Sequence, residues 1–421
     1  MSNYIRIVRG FSPSVQAYIL ANAAIGFAYF GIAMVIFNLF LLRLGYGLAL
    51  IGQVNGVGQL CWALMAIPAS LIGRRFGLRR IMVGGSLLIT FGYILFLLIS
   101  RLPTDIRVTW LFATTILIWV GAALITVNGL PFISSVTRME ERSHALAVTN
   151  AASSLTAILG SLTAGFMPGW VASLTHTSLA EAYPYQLTFW FTPLFFALAA
   201  YFYGRMIPSE QEESAKENRQ AAPVPMWIFL FFGVVIFLQT ASEGGLRAFF
   251  NVYLDADLGV SIAQIGTLFG IAGLLPILGA LVMPLLVARL GSVKSFAVVA
   301  LAMAAALVLV GAFPYPLAAA LGFILFNMLG SLIGSIRGVL SQEIVAPRWR
   351  GATSAILILG LALGWASMAL LGGAIIGVVD FRGLMYISAL SGIFSVILVI
   401  GYLRLRSARS LAPALVQNIE G

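Results

Sequence analysis

Residues 37–56, FNLFLLRLGYGLALIGQVNG, have a counterpart later in the chain at residues 250–270, FNVYLDADLGVSIAQIGTLFG. Each stretch begins with Phe-Asn and continues through Leu-Gly, Ile-Gly and a further Gly in the same order. Asn38 of the first stretch therefore corresponds to Asn251 of the second. Similarity at a nearly constant separation is the signature of a duplicated structural unit. The chain is accordingly predicted to consist of two halves that share one fold.

Landmarks outside these stretches support the duplication. The further corresponding pairs are Arg75 and Arg289, Gly77 and Gly291, Arg142 and Arg350, and Gly165 and Gly373. A polar stretch at 208–223, PSEQEESAKENRQAAP, separates the halves and is expected to be a flexible cytoplasmic linker. We therefore predict an N-terminal six-helix bundle over 1–207 and a C-terminal six-helix bundle, with a short cytoplasmic tail, over 224–421.

The composition predicts a membrane protein. Of the 421 residues, 61% are hydrophobic and 9% are charged, and the mean hydropathy is +1.01. Soluble domains carry about 45–50% apolar and about 25% charged residues, and no water-soluble fold buries the apolar surface found here. A single cysteine, Cys61, excludes an intrachain disulfide, and two histidines argue against a His/Cys metal site. We expect no metal and no cofactor.

Apolar stretches of about 20 residues cross about 30 Å of hydrocarbon as helices. Twelve such stretches predict an all-α polytopic membrane protein with twelve transmembrane helices in two six-helix repeats. They lie at 15–42, 49–72, 80–100, 109–133, 146–172, 185–207, 224–254, 262–288, 294–313, 316–341, 351–379 and 383–405. The first is too long for a signal-peptide core, so we expect it to remain in the mature protein.

The basic residues orient these helices, because cytoplasmic loops retain positive charge during insertion. With both termini in the cytoplasm, most of the 24 basic residues fall in inner loops. Arg43, Arg101, Arg107 and Arg382 fall in outer loops. The net charge of +10 is therefore mainly a topology signal and does not indicate a nucleic-acid partner. We expect a multi-pass protein of the cell membrane.

The loop after the second predicted helix reads SLIGRRFGLRR over 70–80. It is similar to the Gly-x-x-x-Asp-Arg-x-Gly-Arg-Arg signature of the major facilitator superfamily, with Ser70 and Arg74 in place of its opening Gly and its Asp. The chain resembles that family over essentially its whole length. The resemblance implies a secondary transporter whose two halves rock around a central cavity, lined by the first, fourth, seventh and tenth helices.

The resemblance also implies a gate at the cytoplasmic side. Glu343 and Arg350 keep the family's Glu-x6-Arg spacing, whereas the corresponding first-half pair is Ser135 and Arg142. Ion pairs at such helix ends can hold a gate closed and break when the halves move. The expected inner gate consists of Arg75, Arg142, Arg289, Glu343 and Arg350. The alternative is that these arginines only set the topology and bind anionic lipid head groups.

Three charges lie well inside predicted helices, away from their ends, where a charge costs about 2.5–3.5 kcal/mol on insertion scales. Glu243 is near the middle of the seventh helix, and Arg247 follows at the spacing that permits a direct pair. We expect Glu243 to be the proton-coupling group; the alternative is a permanently ionised structural salt bridge. Arg247 and Arg337 are candidates for recognition of a substrate anion, with gate pairing or snorkelling to the interface as alternatives.

Polar residues on the helices that line the family's cavity are expected to contact substrate. The candidates are Arg247, Gln239, Tyr29, Asn128, Asn327 and Arg337. Asn38 and Asn251 occupy corresponding positions near the outer ends of their helices. We expect these two to form structural hydrogen bonds between the halves.

Together these features predict a secondary active transporter that moves a small organic or amphipathic solute by alternating access, through proton-coupled antiport and outward. One alternative is uptake or exchange of an organic anion through the intramembrane arginines; another is a non-transporting membrane sensor. The chain lacks a Gly-x-x-x-x-Gly-Lys loop and the clustered His, Asp or Glu of a membrane enzyme. The expected partners are a small-molecule substrate, protons and membrane lipids, and the expected state is a monomer.

Overall fold

The computed structural model describes residues 10–207, 226–343 and 350–417, and each regular element in these ranges is helical. The predicted linker at 208–223 lies outside the described residues. The helices of the first half are α1 (Pro13–Ile25), α2 (Met34–Arg43), α3 (Leu48–Phe76), α4 (Leu78–Leu97), α5 (Thr104–Val136), α6 (Met139–Thr175), α7 (Tyr183–Phe189) and α8 (Phe191–Gly204). Those of the second half are α9 (Met226–Val252), α10 (Ile262–Leu290), α11 (Ser292–Ala312), α12 (Pro316–Glu343) and α13 (Arg350–Gln417).

Within the described ranges, nine helical segments are long and apolar enough to cross a membrane. Large apolar side chains are exposed on several of them, including Leu64 at 75% and Ile67 at 72%. Contact of these apolar side chains with lipid tails costs no free energy, whereas their contact with water is unfavourable. The prediction of an all-helical, multi-span membrane protein is confirmed. The number of crossings and the cytoplasmic position of the termini stay predictions.

The helix α13 spans both of the last two predicted helices, and Asp380 interrupts it. Asp380 has φ 65° and ψ −179°, which no α-helical residue adopts. Its Oδ1 accepts a hydrogen bond from the backbone N–H of Gly383 at 2.8 Å. A carboxylate that accepts from an N–H three residues on is a helix N-cap. The break falls between the predicted helices at 351–379 and 383–405.

Four glycines of the sequence repeat occupy backbone conformations that favour glycine. Gly45 and Gly77 have φ values of 87° and 88°, and their counterparts Gly259 and Gly291 have φ values of 62° and 76°. Positive φ costs little only for a residue without a Cβ. Gly45 follows the end of α2, and Gly77 separates α3 from α4. In the second half, Gly259 follows the segment after α9, and Gly291 separates α10 from α11. The turn geometry explains why these glycines recur.

Other repeat glycines allow helices to touch backbone to backbone. A Cβ at Gly266 on α10 would lie 2.6 Å from Cα of Gly165 on α6. A Cβ at Gly52 on α3 would contact the carbonyl oxygen of Ala369 and lie 3.4 Å from the backbone nitrogen of Gly373, both on α13. Gly52 corresponds to Gly266, and Gly165 corresponds to Gly373. The duplicated sequence therefore forms the same type of close crossing twice, as small residues allow in membrane bundles.

The chain forms two compact units. Unit 1 combines the described part of the first half with Ala248–Leu274 and Ala369–Gly377. Unit 2 contains the described parts of Pro223–Arg247, Leu275–Met368 and Val378–Gly421. Unit 1 has an aromatic core in which Phe96 contacts Phe37 at 5.3 Å and Phe189 at 5.7 Å between ring centroids. The division into bundles over 1–207 and 224–421 stays a prediction.

Candidate functional site

The centre of unit 2 holds a carboxylate that accepts hydrogen bonds from four side chains. Glu243 on α9 is 1% exposed. Its Oε1 accepts from Nε2 of Gln239 at 3.0 Å and from Nη1 of Arg337 at 3.3 Å. Its Oε2 accepts from Nε of Arg247 and from Nε1 of Trp365, each at 3.3 Å. These five residues are called the Glu243 cluster below. An ionised carboxylate has about four lone-pair positions, so this one is fully occupied.

The two arginines of the cluster have different environments. The Arg337 side chain is 9% exposed, and its Nη1 donates to Oε1 of Gln239 as well as to Glu243. The Arg247 side chain is 35% exposed and reaches Glu243 through Nε. Both pairs satisfy the rule that a buried charge needs a partner. Arg337 is paired within the bundle, so the expected alternative of snorkelling to the interface does not describe it.

Trp365 reaches the cluster from α13 because glycines let α13 approach α9. A Cβ at Gly244 would lie 3.1 Å from the Trp365 carbonyl oxygen, and a Cβ at Gly364 would lie 2.6 Å from that of Phe237. At this distance the indole N–H meets Glu243, and the ring lies 5.3 Å from Cζ of Arg247. A guanidinium over an indole face is a cation–π contact. The Gly244-Gly245 pair therefore serves helix packing.

Two glycines of α12 lie beside the two guanidinium groups. A Cβ at Gly330 would lie 3.6 Å from Nη2 of Arg247, and one at Gly334 would lie 3.8 Å from Nη2 of Arg337. Asn327, Gly330, Gly334 and Arg337 follow the three- and four-residue spacing of one helix face. Asn327 therefore shares the face that meets the cluster, and its Nδ2 donates to the carbonyl of Phe323 at 2.8 Å.

The remaining predicted substrate residues lie in unit 1. Tyr29 belongs to a π-helical segment, Gly26–Ala33, between α1 and α2, and π-helical turns are frequent at functional sites. Its ring meets Phe30 and Trp119 edge-on, at 5.1 and 6.2 Å between centroids. Asn128 is 1% exposed and donates through Nδ2 to the carbonyls of Ala69 at 3.1 Å and Leu124 at 2.8 Å. Asn128 thereby links α5 to α3.

The structure describes three of the five side chains predicted for the inner gate. Arg75 and Arg289 are exposed. Arg142 donates through Nη2 to the carbonyl of Ser134 at 2.8 Å, in the last turn of α5, where a cation suits the helix dipole. Among the described residues, none of these arginines forms an ion pair. The side chains of Glu343 and Arg350 lie outside what the structure describes, so the gate stays a prediction.

Asn38 and Asn251 are joined by reciprocal hydrogen bonds within unit 1. Nδ2 of Asn38 donates to the carbonyl of Ala248 at 2.6 Å, and Nδ2 of Asn251 donates to the carbonyl of Val35 at 2.9 Å. Val35 and Ala248 also correspond to each other in the repeat, so the two bonds are related by pseudo-symmetry. Asn55 donates to Oδ1 of Asn38 at 2.9 Å. The prediction that Asn38 and Asn251 bond structurally between the sequence halves is confirmed.

An ion pair that the sequence did not suggest lies in the same unit. Nη2 of Arg43, the last residue of α2, is 2.8 Å from Oδ1 of Asp255. Nε of Arg43 donates to the carbonyl of Leu179 at 3.0 Å, and its Cζ lies 5.5 Å from the ring of Tyr185. The sequence places Arg43 in a predicted outer loop and indicates no partner for it. The repeat could have indicated this ion pair, because Arg43 and Asp255 occupy nearby positions of the two repeated stretches.

The comparisons with known proteins concern the whole chain. The sequence profile of the Major Facilitator Superfamily matches residues 18–242 and 232–418. The search of curated protein sequences found no significant relative.

Among solved structures, a mutant of the nucleoside transporter NupG is similar with a TM-score of 0.72 and 13% identity, over 93% of this chain and 99% of that chain. A POT family transporter in complex with a thioalcohol-conjugated peptide has a TM-score of 0.71 and 13% identity, over 94% and 99%. A bacterial homolog of the human lysosomal transporter Spinster, inward-facing and occupied, has a TM-score of 0.69 and 16% identity, over 94% and 97%. Likeness at these identities shows a shared fold.

Proposed function

The chain belongs to the Major Facilitator Superfamily and is a secondary transporter rather than an enzyme, and we propose that it carries a small organic anion together with a proton. Arg247 binds the anion and Glu243 binds the proton. The observation that carries the proposal is the Glu243 cluster, in which one buried carboxylate is shared by two guanidinium groups.

The charge of the cluster supports an anionic substrate. One carboxylate and two guanidinium groups leave an excess of one positive charge when all three are ionised. An excess charge on membrane-spanning helices is costly, and an anion that enters the site offsets that cost. Arg247 is the more exposed cation, and it uses Nε for Glu243. Its two Nη atoms offer the paired donors that match a carboxylate or a phosphate.

The hydrogen bonds of Glu243 support proton coupling. Each carboxylate oxygen accepts from two donors, an arrangement that suits an acceptor-only carboxylate. A proton on Oε2 would turn an acceptor into a donor that faces the N–H groups of Arg247 and Trp365. Protonation therefore weakens the hold on Arg247 and makes that cation accessible to a substrate anion. Proton and anion then bind together, which is the basis of symport.

The test uses purified protein in vesicles that contain a pH-sensitive dye. Non-permeant carboxylates, sulfonates and phosphate monoesters are added outside, one at a time, and lumenal acidification is followed beside uptake of the labelled anion. We expect at least one anion to enter with protons. In Glu243→Gln, anion exchange between the two sides should continue, and accumulation driven by a pH gradient should stop. Accumulation by Glu243→Gln, or no anion flux with wild type, contradicts the proposal; protein-free vesicles are the control.

Outward antiport of an amphipathic solute is a second candidate. It is supported by the aromatic group of Tyr29, Phe30 and Trp119, in which Phe30 is 51% exposed, and by the π-helical backbone there. Aromatic faces bind apolar and cationic solutes. Transport of a lipophilic dye that Tyr29→Leu abolishes and Arg247→Gln leaves intact would favour this candidate.

A further inference from the structure

Trp365 interacts with both members of one ion pair. Its indole N–H donates to Oε2 of Glu243 at 3.3 Å, the oxygen that also accepts from Nε of Arg247 at 3.3 Å. The face of the same ring lies 5.3 Å from Cζ of Arg247. We propose that Trp365 is the positioning residue that keeps Arg247 in the site after Glu243 takes up a proton, so that the anion meets a cation already in place. This inference rests on the proposed function.

When Glu243 is neutral, the two arginines keep different partners. Arg337 keeps its hydrogen bond to Oε1 of Gln239 and stays buried. Arg247 loses the charge attraction of Glu243, and among the described residues its other recorded partner is the Trp365 ring. A cation–π contact does not depend on the proton of the carboxyl group. The ring therefore holds Arg247 at the step when the ion pair is weakened.

The position in which Arg247 is held suits anion binding. Nη2 lies 3.6 Å from the place that a Cβ at Gly330 would occupy, so this edge of the guanidinium lies beside α12 where that helix carries no side chain. A guanidinium held by Nε and by one ring face keeps its Nη edge available for a bidentate contact. A freely rotating arginine would pay side-chain entropy on binding the anion, and a held one avoids that cost.

Trp365 is itself fixed, as a positioning residue must be. The close approach of α9 at Gly244 places the Trp365 backbone against α9, with a Cβ at Gly244 only 3.1 Å from the Trp365 carbonyl oxygen. Thr240 on α9 adds a hydrogen bond from Oγ1 to the carbonyl of Gly360 at 3.2 Å. These contacts hold the Trp365 segment of α13 to α9.

Two substitutions separate the two interactions of Trp365. Trp365→Phe keeps an aromatic face and removes the N–H donor, and Trp365→Leu removes both. Benzenesulfonate is the probe, because its charge does not change with pH, and its affinity for the full chain is measured by calorimetry between pH 8 and pH 5. Wild type should bind more tightly as the pH falls. At pH 5, Trp365→Phe should bind within threefold of wild type and Trp365→Leu at least tenfold more weakly.

A second measurement does not require a substrate. In the Glu243→Gln background, where the carboxyl is replaced by a neutral group, Arg247 is modified with phenylglyoxal and the adduct is quantified by peptide mass spectrometry relative to exposed Arg289. Trp365→Leu should raise the ratio at least threefold over Trp365→Phe, since Arg247 then leaves the ring. Trp110→Leu is the matched control: that indole donates to the carbonyl of Leu95 at 2.7 Å, in unit 1, and the ratio should not change.

The outcomes separate this inference from the proposed function. Equal modification ratios and equal affinities for Trp365→Phe and Trp365→Leu would overturn the role of Trp365. If wild type binds no benzenesulfonate and no anion of the transport panel while the ratio still rises in Trp365→Leu, the anion proposal fails and the positioning role stands. Gel filtration confirms that each variant is folded, and retention of the wild-type elution profile by Trp365→Phe shows that the site tolerates substitution.

Discussion

At the scale of single residues, the two intramembrane arginines differ in what they stabilise. Arg337 is bonded to both Gln239 and Glu243 and is nearly buried, whereas Arg247 makes one charged bond and is about a third exposed. A buried ion-pair member contributes mainly by satisfying its partner, and a solvent-reachable one is screened. We therefore assign the stability of the cluster mainly to Arg337 and its ligand recognition to Arg247.

If Arg337 mainly stabilises the cluster and Arg247 mainly binds the ligand, Arg337→Gln should cause the larger loss of stability. Arg247→Gln should cause the larger loss of transport. Arg337→Gln should lower the unfolding free energy by about 3 kcal/mol, the low end of the cost of breaking a buried pair, because Arg247 still serves Glu243. Arg247→Gln should cost about 1 kcal/mol or less, because that side chain is partly exposed. Thermal melting of both purified variants in one detergent measures the first ranking, and transport rate at equal protein level measures the second. A larger loss of melting temperature in Arg247→Gln would contradict the assignment.

At the scale of helices, glycine determines which pairs approach closely. The corresponding glycines Gly52 and Gly266 each face the backbone of a helix from elsewhere in the chain, at α13 and α6. Gly273 lies on the same helix as Gly266, with nothing within 4 Å of the place for its Cβ. One substitution can therefore be made at two sites of α10 that differ in packing.

Alanine at these two sites should have effects of opposite sign. Gly266→Ala brings a methyl group against Cα of Gly165, and overpacking of this kind costs roughly 1–3 kcal/mol. Gly273→Ala meets open space and should stabilise the helix by roughly 0.5–1 kcal/mol, since glycine has the larger backbone entropy. The difference in melting temperature between the two variants is the measurement. Equal melting temperatures would mean that the close crossing at Gly165 does not hold the helices together.

At the scale of the whole molecule, the pseudo-symmetric asparagines and the ion pair of Arg43 with Asp255 join residues 248–274 to the first half. Asn38 and Asn251 are buried and exchange backbone bonds, while Arg43 and Asp255 have side chains 19% and 12% exposed. The predicted topology puts all four near the outer ends of their helices. An alternating-access transporter must separate such contacts once in each cycle.

The ion pair is expected to keep this end of unit 1 closed. Ala369 is 3% exposed and packs on Gly52, so Ala369→Cys in a Cys61→Ala parent reports on opening. Arg43→Gln should raise the rate of labelling by a membrane-impermeant maleimide at least threefold. The exchanged pair, Arg43→Asp with Asp255→Arg, should return the rate towards that of the parent. Unchanged labelling in Arg43→Gln would show that the pair does not control closure.

Several features of this protein follow from the sequence alone, because they depend on local or repeated patterns. Long apolar stretches require helices in lipid, since each backbone N–H and C=O must be satisfied within its own segment. The spacing of Glu243 and Arg247 brings two side chains of one helix together whatever surrounds them. The duplication relates Asn38 to Asn251, and their reciprocal bonds preserve that relation.

Only the tertiary structure decided what meets Glu243 from other helices. Arg337 and Trp365 are 94 and 122 residues away from it in sequence, and hydropathy specifies neither the rotation nor the depth of a helix in its bundle. Asn128 donates from α5 to the carbonyl of Ala69 on α3, and its role in substrate binding stays a prediction. The sequence did not show this contact, because a polar side chain on a helix has the same sequence signature whether it faces a cavity or a neighbour. The close approach of α13 to α9 that brings Trp365 to Glu243 lies at Gly244 and Gly364, where the absence of side chains lets the two backbones pack.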